Sequence, residues 1–168
     1  MKDILGFDGE TAYLSNFYKC EIPLKLEVEN GNSVKTHFFI FSSTEAAFQG
    51  FKVFKDIDHP TQSELAEFTK YTEYTPSKAK AQGRIKRASF NVNYWNRVRN
   101  SVMERLLVIK FTHNKDLGEK LCKTGSAYLE ETNTWGDKYW GVCDGVGENT
   151  LGKLLMKVRA QLNQTKGR

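Results

Sequence analysis

The chain has 168 residues, a net charge of +5, 39% apolar residues and 27% charged residues. That is the size and balance of one globular domain with its own core, and it argues against a disordered chain. No stretch approaches the ~20 apolar residues that cross a bilayer, and the N-terminus lacks the apolar core of a signal peptide. The three cysteines have no CxxC spacing, which predicts free thiols in a cytoplasmic protein.

Strands are predicted in the first forty residues. Leu24–Glu29 and Val34–Ile40 flank residues 30–33, where the Asn30-Gly31 pair favours a hairpin turn. The alternating aromatics between Tyr13 and Tyr18 favour a further strand. Three phenylalanines are assigned to the core: Phe38, Phe39 and Phe41.

Helices dominate the remainder of the chain, each marked by a capping residue or an apolar stripe. The longest carries Trp95, Val98, Val102, Leu106 and Ile109 on one side, so periodicity alone makes Trp95 a core residue. The predicted helices are 45–54, 61–70, 75–83, 93–112, a short one before Gly125, and 150–162, with a strand over 128–132. Early strands and late helices predict a mostly helical, single α+β domain with a small N-terminal antiparallel sheet.

Basic residues are concentrated between Lys78 and Lys110. This block holds nine lysines and arginines and one acid, Glu104: the basic residues are 78, 80, 84, 86, 87, 97, 99, 105 and 110. Such a block favours a phosphorylated or polyanionic partner. A solvated helix face that is basic by chance is an equal alternative on charge alone.

The segment from Thr44 to Lys52 is the first candidate for chemistry. Glu45, Gln49 and Lys52 are spaced i, i+4 and i+7, which places them on one face of a helix. A carboxylate, an amide and an amine on one face could hold a ribose and supply acid, base or nucleophilic chemistry. Because such a pair of charges is common, an ordinary exposed helix is the stronger alternative for this segment alone.

The loop from Asn133 to Gly141 is the second candidate. It combines three large aromatics, two glycines and one acid in nine residues. A tryptophan such as Trp140 can stack on a base, Asp137 can bind a ribose hydroxyl, and glycine permits close approach of the backbone to a ligand. The alternative is a loop that its aromatics fix to the core.

The segment from Gly147 to Lys153 fits the spacing G-x4-G-K, but Leu154 stands where a phosphate-binding loop needs Ser or Thr. ATPase chemistry is therefore rejected. A helix N-terminus that binds phosphate and a simple turn with an asparagine cap both remain open. Near the N-terminus, Ser15 and Asn16 could face a site.

Taken together and in order, these segments resemble the NADAR family over roughly residues 12–162. The stretches that carry the resemblance are 14–18, 45–52, 79–84, 95–103, 110–111, 124–125, 137–141 and 147–156. Many members have His after the motif glutamate, whereas this chain has Ala46. The segment 57–74 matches least, so the sequence does not predict which residues there would select the substrate.

The resemblance implies a compact, mostly helical α+β domain with N-glycosidase activity. Family members are similar to enzymes that cleave ribosylamino-pyrimidine phosphates of riboflavin biosynthesis, and others to enzymes that remove ADP-ribose from guanine. It also implies five functional residues, which moves Trp95 from the core to the lining of a site: Glu45, Lys52, Trp95, Asp137 and Trp140.

The sequence therefore predicts a hydrolase that removes ADP-ribose from guanine in DNA or RNA, without a cofactor, metal or membrane. The riboflavin intermediates and a non-catalytic ADP-ribose- or NAD-binding module are the alternatives. The predicted catalytic residues are Glu45, Lys52 and Asp137. The predicted substrate-binding residues are Ser15, Asn16, Gln49, Arg84, Trp95, Trp140, Gly141 and Asn149.

Overall fold

The computed structural model describes residues 2–30, 33–85 and 90–166. Its architecture is α+β and mostly helical, which confirms the predicted fold class. The chain divides into two compact units. Unit 1 combines Met1–Tyr18 with Asn114–Arg168, and unit 2 is Lys19–His113. That the chain is a single domain stays a prediction.

Unit 2 contains the antiparallel hairpin that the sequence predicts. Strand β2 (Ile22–Asn30) pairs with β3 (Ser33–Phe41) in a register that opposes Ile22 to Phe41 and Asn30 to Ser33. The predicted turn residues 31 and 32 lie outside the described part of the chain. Alternation along β3 buries Phe39 and Phe41 but leaves Phe38 77% exposed, so the core assignment of Phe38 is wrong.

The described residues of unit 2 then form four helices, with a 3-10 turn at Tyr71–Glu73. They are α1 (Thr44–Phe51), α2 (Gln62–Lys70), α3 (Pro76–Gly83) and α4 (Val92–His113). Their caps agree with the sequence. Thr61 and Glu64 form a reciprocal capping box at α2, and the Thr75 hydroxyl accepts from the N–H of Lys78 at α3. Helix α1 ends before the predicted residue 54, because the N–H groups of Val53 and Phe54 bond to carbonyls three residues back.

The core of unit 2 is aromatic. Phe68 of α2 meets Phe39, Phe41, Phe51 and Phe54 at ring-centroid distances of 4.8–5.2 Å. Three of these contacts are edge-to-face, which is a favourable geometry for aromatic pairs. This cluster fixes α1 and α2 against the hairpin and so sets the position of the α1 side chains.

Helix α4 buries a stripe that contains Trp95, Val102 and Leu106, as periodicity predicts, while Val98 and Ile109 are half-buried. The stripe continues into Lys110, whose exposed fraction is 0%. Lys110 lies one turn beyond Leu106, on the inward face of the helix. It is therefore not part of a basic surface, which corrects the prediction for this residue.

Unit 1 holds two short parallel strand pairs, where the sequence predicted a strand over 128–132 but not its pairing. Strand β1 (Ile4–Leu5) pairs with β4 (Leu129–Glu130), and β5 (Thr132–Asn133) pairs with β6 (Val142–Cys143). The predicted strand 128–132 is interrupted at Glu131. The N–H of Glu131 bonds to the side chain of Asn149 instead of to a neighbouring strand.

The helices of unit 1 are α5 (Lys115–Lys123) and α6 (Thr150–Lys166), and Gly125 after α5 has the positive φ of a C-terminal cap. The predicted strand from Tyr13 to Tyr18 is wrong: a 3-10 helix spans Gly9–Leu14, and turns follow it. Tyr13 and Leu14 are both buried, which a half-buried strand would not allow for neighbours. Within the described ranges, no helix is both long and apolar enough to cross a membrane.

Candidate active site

The first cluster of candidate residues lies on α1 in unit 2. The Ser43 hydroxyl accepts from the N–H of Ala46 and begins the helix, with extended backbone at Ser43. Helix α1 is buried along its whole length, so its polar residues do not lie on an exposed face. The alternative of an ordinary solvated helix is therefore contradicted by the structure.

Glu45 and Gln49 form a buried pair one helical turn apart. The Nε2 of Gln49 donates to Oε1 of Glu45 at 2.9 Å, and the two residues are only 6% and 7% exposed. A buried carboxylate that accepts an amide hydrogen bond has a restricted orientation. This restriction is what a group that must meet one atom of a substrate requires.

Lys52 follows α1 directly and keeps the face predicted from its spacing. Its N–H bonds to the carbonyls of Gln49 and Gly50, so the helical path extends through residue 52. The Nζ of Lys52 lies 5.8 Å from the ring centroid of Trp95, and that indole packs on Phe48 at 5.0 Å. A half-buried amine thus faces an aromatic wall formed by α1 and α4.

Two buried acceptors on α1 have no hydrogen-bond partner among the described residues. They are Oγ1 of Thr44 and Oε1 of Gln49, and both residues are less than a tenth exposed. Because buried polar atoms are nearly always satisfied, the unpaired Oγ1 of Thr44, next to Glu45 in the chain, is compatible with a ligand contact. Thr44 was not among the site residues predicted from the sequence. Its position directly before Glu45 was the feature that could have indicated it.

Arg84 is exposed and follows the last residue of α3. The preceding residue, Gly83, lies against the side chain of Gln49, so α1 and α3 meet at this point. Glu45, Gln49, Lys52 and Trp95 are thus brought together within unit 2, with Arg84 at the adjacent helix end. The remaining predicted site residues belong to unit 1.

Asp137 organises the aromatic loop of unit 1. Its Oδ1 accepts from the N–H groups of Tyr139 and Trp140 at 3.1 and 2.9 Å. The side-chain amide of Asn133 closes the loop by bonding to both the carbonyl and the N–H of Asp137. These bonds give Asp137 a structural role, and its predicted catalytic role stays a prediction.

Trp140 is half-buried and meets Tyr139 edge-to-face at 5.1 Å. Gly141 is buried, and a Cβ there would lie 2.8 Å from Nδ2 of Asn133. The close packing leaves no space for a side chain, which explains why this residue is glycine. The exposed tryptophan of the loop is Trp135, at 61%. Both interpretations of the loop, fixed aromatics and a ligand-binding surface, therefore retain support.

Asn149 joins α6 to strand β4. Its Nδ2 donates to the carbonyl of Leu129 and to the hydroxyl of Tyr128, and its Oδ1 accepts from the N–H of Glu131. It does so with a positive φ of 52°. The predicted substrate contact through Asn149 stays a prediction, but its amide already serves the fold.

The start of α6 does not offer free N–H groups for a phosphate at its first two residues. Thr150 and Leu151 donate to the carbonyls of Tyr139 and Trp140. Of the two interpretations of residues 147–153, the structure favours the turn. Asn149 nevertheless bonds through its side chain to β4 and not to the helix it precedes.

Ser15 and Asn16 follow the 3-10 helix of unit 1. The hydroxyl of Ser15 accepts from the N–H of Phe17 at 3.2 Å and shapes the turn. Asn16 is 9% exposed, and its Oδ1 has no partner within the described ranges. An unsatisfied buried acceptor is compatible with the predicted ligand contact, which stays a prediction for both residues.

The chain after α1, at the start of the segment that matches the family least, carries a titratable cluster in unit 2. Oδ2 of Asp56 lies 3.0 Å from Nδ1 of His59, and this hydrogen bond is the largest cause that lowers the pKa of Asp56 and raises the pKa of His59. The hydroxyl of Tyr94 accepts from the N–H of Ile57, and burial raises the pKa of Tyr94. Tyr94 thereby connects this segment to the helix that carries Trp95.

Within the described residues, the three cysteines form no disulfide, as their number and spacing predict. In the part of the chain that the structure describes, no group of three or more His, Cys, Asp and Glu side chains is arranged to hold a metal ion.

The candidate site consists of the buried Glu45 carboxylate and Gln49 amide on α1, with the amine of Lys52 at the end of that helix. Comparison with known proteins then shows the class of protein to which the chain belongs. The family model described as "NADAR domain" matches residues 7–163, so the chain belongs to the NADAR domain family. The match includes α1 and the aromatic loop. It confirms the family resemblance of the sequence.

Several curated proteins are similar to this chain. N-glycosidase Npun_R5314 of Nostoc punctiforme is 36% identical over 89 residues, 52% of this chain and 56% of that protein. N-glycosidase YbiA of Escherichia coli K12 is 38% identical over 89 residues, 52% and 54% of the two chains. The chain thus matches about half the length of these relatives. Riboflavin biosynthesis protein PYRR, chloroplastic, of Zea mays is 27% identical over 143 residues, 83% of this chain and 22% of that protein.

The fold is also similar to a solved structure. The NMR structure of the E. coli protein YbiA matches with a TM-score of 0.74 and 28% identity, and the match covers 99% of this chain and 89% of that one.

Proposed function

We propose that this protein is an N-glycosidase that hydrolyses the bond between ribose and a base. The observation that carries the proposal is the buried Glu45–Gln49 pair on α1, with the amine of Lys52 facing Trp95 at the end of the same helix. Relatives that are named N-glycosidases, and membership of the NADAR family, support the same reaction class.

Glu45 would act at the ribose. Cleavage of a ribose–nitrogen bond builds positive charge at C1 of the sugar, and a carboxylate held beside C1 stabilises that charge. The bond from Gln49 fixes one carboxylate oxygen of Glu45. Glu45 then serves as general base toward water, or as general acid toward the leaving base, depending on its protonation state.

Lys52 would form a covalent intermediate. Its neutral amine forms a bond to C1 as the ribose–base bond breaks, and the base leaves with a proton. Opening of the sugar ring gives a Schiff base between Lys52 and C1. Addition of water at C1 breaks that bond, releases the sugar and restores the amine. A simpler role, contact with a substrate phosphate, remains the alternative for Lys52.

The substrate we propose is ADP-ribosylated guanine in DNA or RNA. Exposed basic side chains of unit 2 support a polyanionic substrate: Lys78, Arg84, Arg97 and Arg105. Lys86 and Arg87 of the predicted basic block lie outside the described residues, and Lys110 is buried. Lys110 therefore does not contribute to this exposed basic surface.

A phosphorylated ribosylamino-pyrimidine of riboflavin biosynthesis is the second candidate substrate. It is favoured by the similarity to a riboflavin biosynthesis protein over 83% of this chain. The chemistry at C1 is the same for both substrates, so Glu45 and Lys52 would have the same roles. The two candidates differ in the leaving base and in the need for exposed basic side chains.

Mass spectrometry of reaction products tests the function. The protein is incubated with DNA that carries ADP-ribosylated guanine and, separately, with the ribosylamino-pyrimidine phosphate, and Glu45→Gln serves as the control. Glutamine keeps the size of the side chain but removes the carboxylate. Unmodified guanine or free pyrimidine, released by the wild type alone, supports the N-glycosidase and identifies its substrate.

Three other outcomes would contradict part or all of this proposal. Equal release by Glu45→Gln would remove Glu45 from the catalytic role. Absence of release with either substrate, from a folded sample that still binds ADP-ribose, would leave a binding module. Binding of unmodified nucleic acid that declines steeply with salt, without any glycosidic product, would indicate a nucleic-acid-binding protein.

A further inference from the structure

We propose that Gly83 is a positioning residue for the active site, because the absence of a side chain at Gly83 allows Gln49 to orient Glu45. This inference rests on the proposed N-glycosidase function. It assigns a role to a residue of α3 that lies outside the helix of the catalytic candidates. The geometry at the contact between α1 and α3 carries it.

The contact is too close for any side chain at position 83. A Cβ on Gly83 would lie 2.7 Å from Cδ of Gln49 and 3.2 Å from its Cβ, and it would overlap Oε1 of the amide. Rotation of the terminal amide leaves Cδ of Gln49 in place, 2.7 Å from that Cβ, so this rotation alone would not relieve the overlap. The whole Gln49 side chain would have to change rotamer, and at 7% exposure it has little space to do so.

The orientation of the Gln49 amide follows from its partner. The Nε2 of Gln49 donates to Oε1 of Glu45, so the NH₂ group of the amide faces Glu45 and its carbonyl oxygen points away from it. That oxygen is directed at Gly83, where it has no hydrogen-bond partner among the described residues. A rotamer change forced by a side chain at position 83 would therefore remove the bond to Glu45.

Backbone conformation does not explain glycine at this position. Gly83 is the last residue of α3, and its φ is not in the left-handed region. Alanine suits a helix better than glycine does. A poor helix former in a helix, where the backbone does not require it, is a local conflict of the kind that marks functional positions. The side chain of Gln49 accounts for glycine at position 83, because it occupies the space that a Cβ would need.

A double-mutant cycle tests the proposal. Gly83→Ala should lower kcat 10- to 100-fold, since small misplacement of a reacting group costs about this much, while KM changes little. In a Gln49→Ala background the same change should cost almost nothing, because the displaced amide is already absent. Ala81→Ser, an exposed change on α3 that also adds one heavy atom, should leave kcat unchanged. An equal loss of kcat in both backgrounds would overturn the proposal.

A second measurement does not depend on turnover. The side-chain NH₂ resonances of Gln49, assigned by their loss in Gln49→Ala, report its bond to Glu45. They should shift in Gly83→Ala and in Glu45→Gln, but not in Ala81→Ser. Resonances that do not move in Gly83→Ala overturn the proposal even if neither substrate is cleaved. A shift without any turnover in the wild type would support the positioning contact and reject the proposed function.

Gln49→Met covers the case in which Gly83→Ala does not fold. Methionine has about the volume of glutamine but cannot donate to Glu45, so kcat should fall by the same 10- to 100-fold. Full kcat in Gln49→Met would show that Glu45 needs no bond from Gln49, and the proposed role of Gly83 would fail with it.

Discussion

The amine of Lys52 lies 5.8 Å from the ring centroid of Trp95, and the ring of Phe48 packs against that indole at 5.0 Å. Helices α1 and α4 thus place one amine against an aromatic wall inside unit 2. A cation that is partly removed from water is stabilised by the ring face, and a neutral amine at the same place is well packed. This position keeps the amine of Lys52 partly shielded from water.

Lys52 should form a covalent adduct with the sugar. Reduction with borohydride during turnover should trap the Schiff base and add the mass of the reduced sugar to the peptide that contains Lys52. Lys52→Arg keeps the positive charge but cannot form the adduct, so it should lose both the trapped mass and nearly all turnover. If Lys52→Arg retains turnover, the side chain is a phosphate contact and not a nucleophile.

Two variants at Asp137 separate its structural role from its predicted catalytic role. Asp137→Asn keeps an Oδ1 that can accept from the N–H groups of Tyr139 and Trp140, whereas Asp137→Ala loses both bonds. We expect Asp137→Ala to reduce the free energy of unfolding by about 2 kcal/mol, since each bond contributes about 1 kcal/mol. Asp137→Asn should unfold near the wild-type temperature.

Turnover then decides the role of Asp137. A folded Asp137→Asn that has lost its activity would support catalysis by the carboxylate. A folded Asp137→Asn with wild-type kcat would limit Asp137 to shaping the loop. Thermal unfolding and product release, measured on the same samples, provide the two readings.

Asn149 should be important for stability. Its side chain makes three hydrogen bonds to residues 128–131, in and beside β4, from a position directly before α6. Its backbone has a φ of 52°, which disfavours most side chains. Asn149→Ala should lower the free energy of unfolding by about 3 kcal/mol, from lost hydrogen bonds and buried groups left unpaired. Asn149→Gly should lose less, because glycine adopts positive φ without strain.

Chemical denaturation with both variants measures this difference at Asn149. Equal loss in the two variants would show that the positive φ contributes no strain. Wild-type stability in Asn149→Ala would mean that the amide is held for a ligand and not for the fold.

The His59–Asp56 pair should produce a pH dependence of its own. The pKa of His59 is raised above 6.5, so its contribution to stability is full below pH 6.5 and is lost as pH rises through the raised value. The pKa of Asp56 is lowered from 3.8, so its contribution is present above pH 3.8 and is lost as pH falls through the lowered value. The pair therefore contributes its full stabilisation between pH 3.8 and pH 6.5.

NMR titration of the His59 ring checks this. In Asp56→Asn the pKa of His59 should return toward 6.5, the ordinary value for the side chain. Because both side chains are largely exposed, the change in unfolding temperature should be small. A pKa of His59 that is the same in both proteins would contradict the assignment of its shift to Asp56.

The sequence by itself determined the features that depend on neighbours in the chain. The capping box of Thr61 and Glu64 fixed the start of α2, and the Thr75-Pro76 pair fixed the start of α3. The i, i+4 spacing placed Gln49 in reach of Glu45. Hydrogen bonds and side-chain spacings within a few residues are set by helix geometry, so they can be read without the fold.

Tertiary structure alone decided which of these features are buried and what they meet. The burial of Lys110, the exposure of Phe38 and the parallel pairing of β1 with β4 depend on segments distant in the sequence. Gly83 reads as an ordinary helix end until α3 is packed against Gln49. Local periodicity gives the face of a helix but not its neighbour, because packing is decided by the shape of the surface it meets.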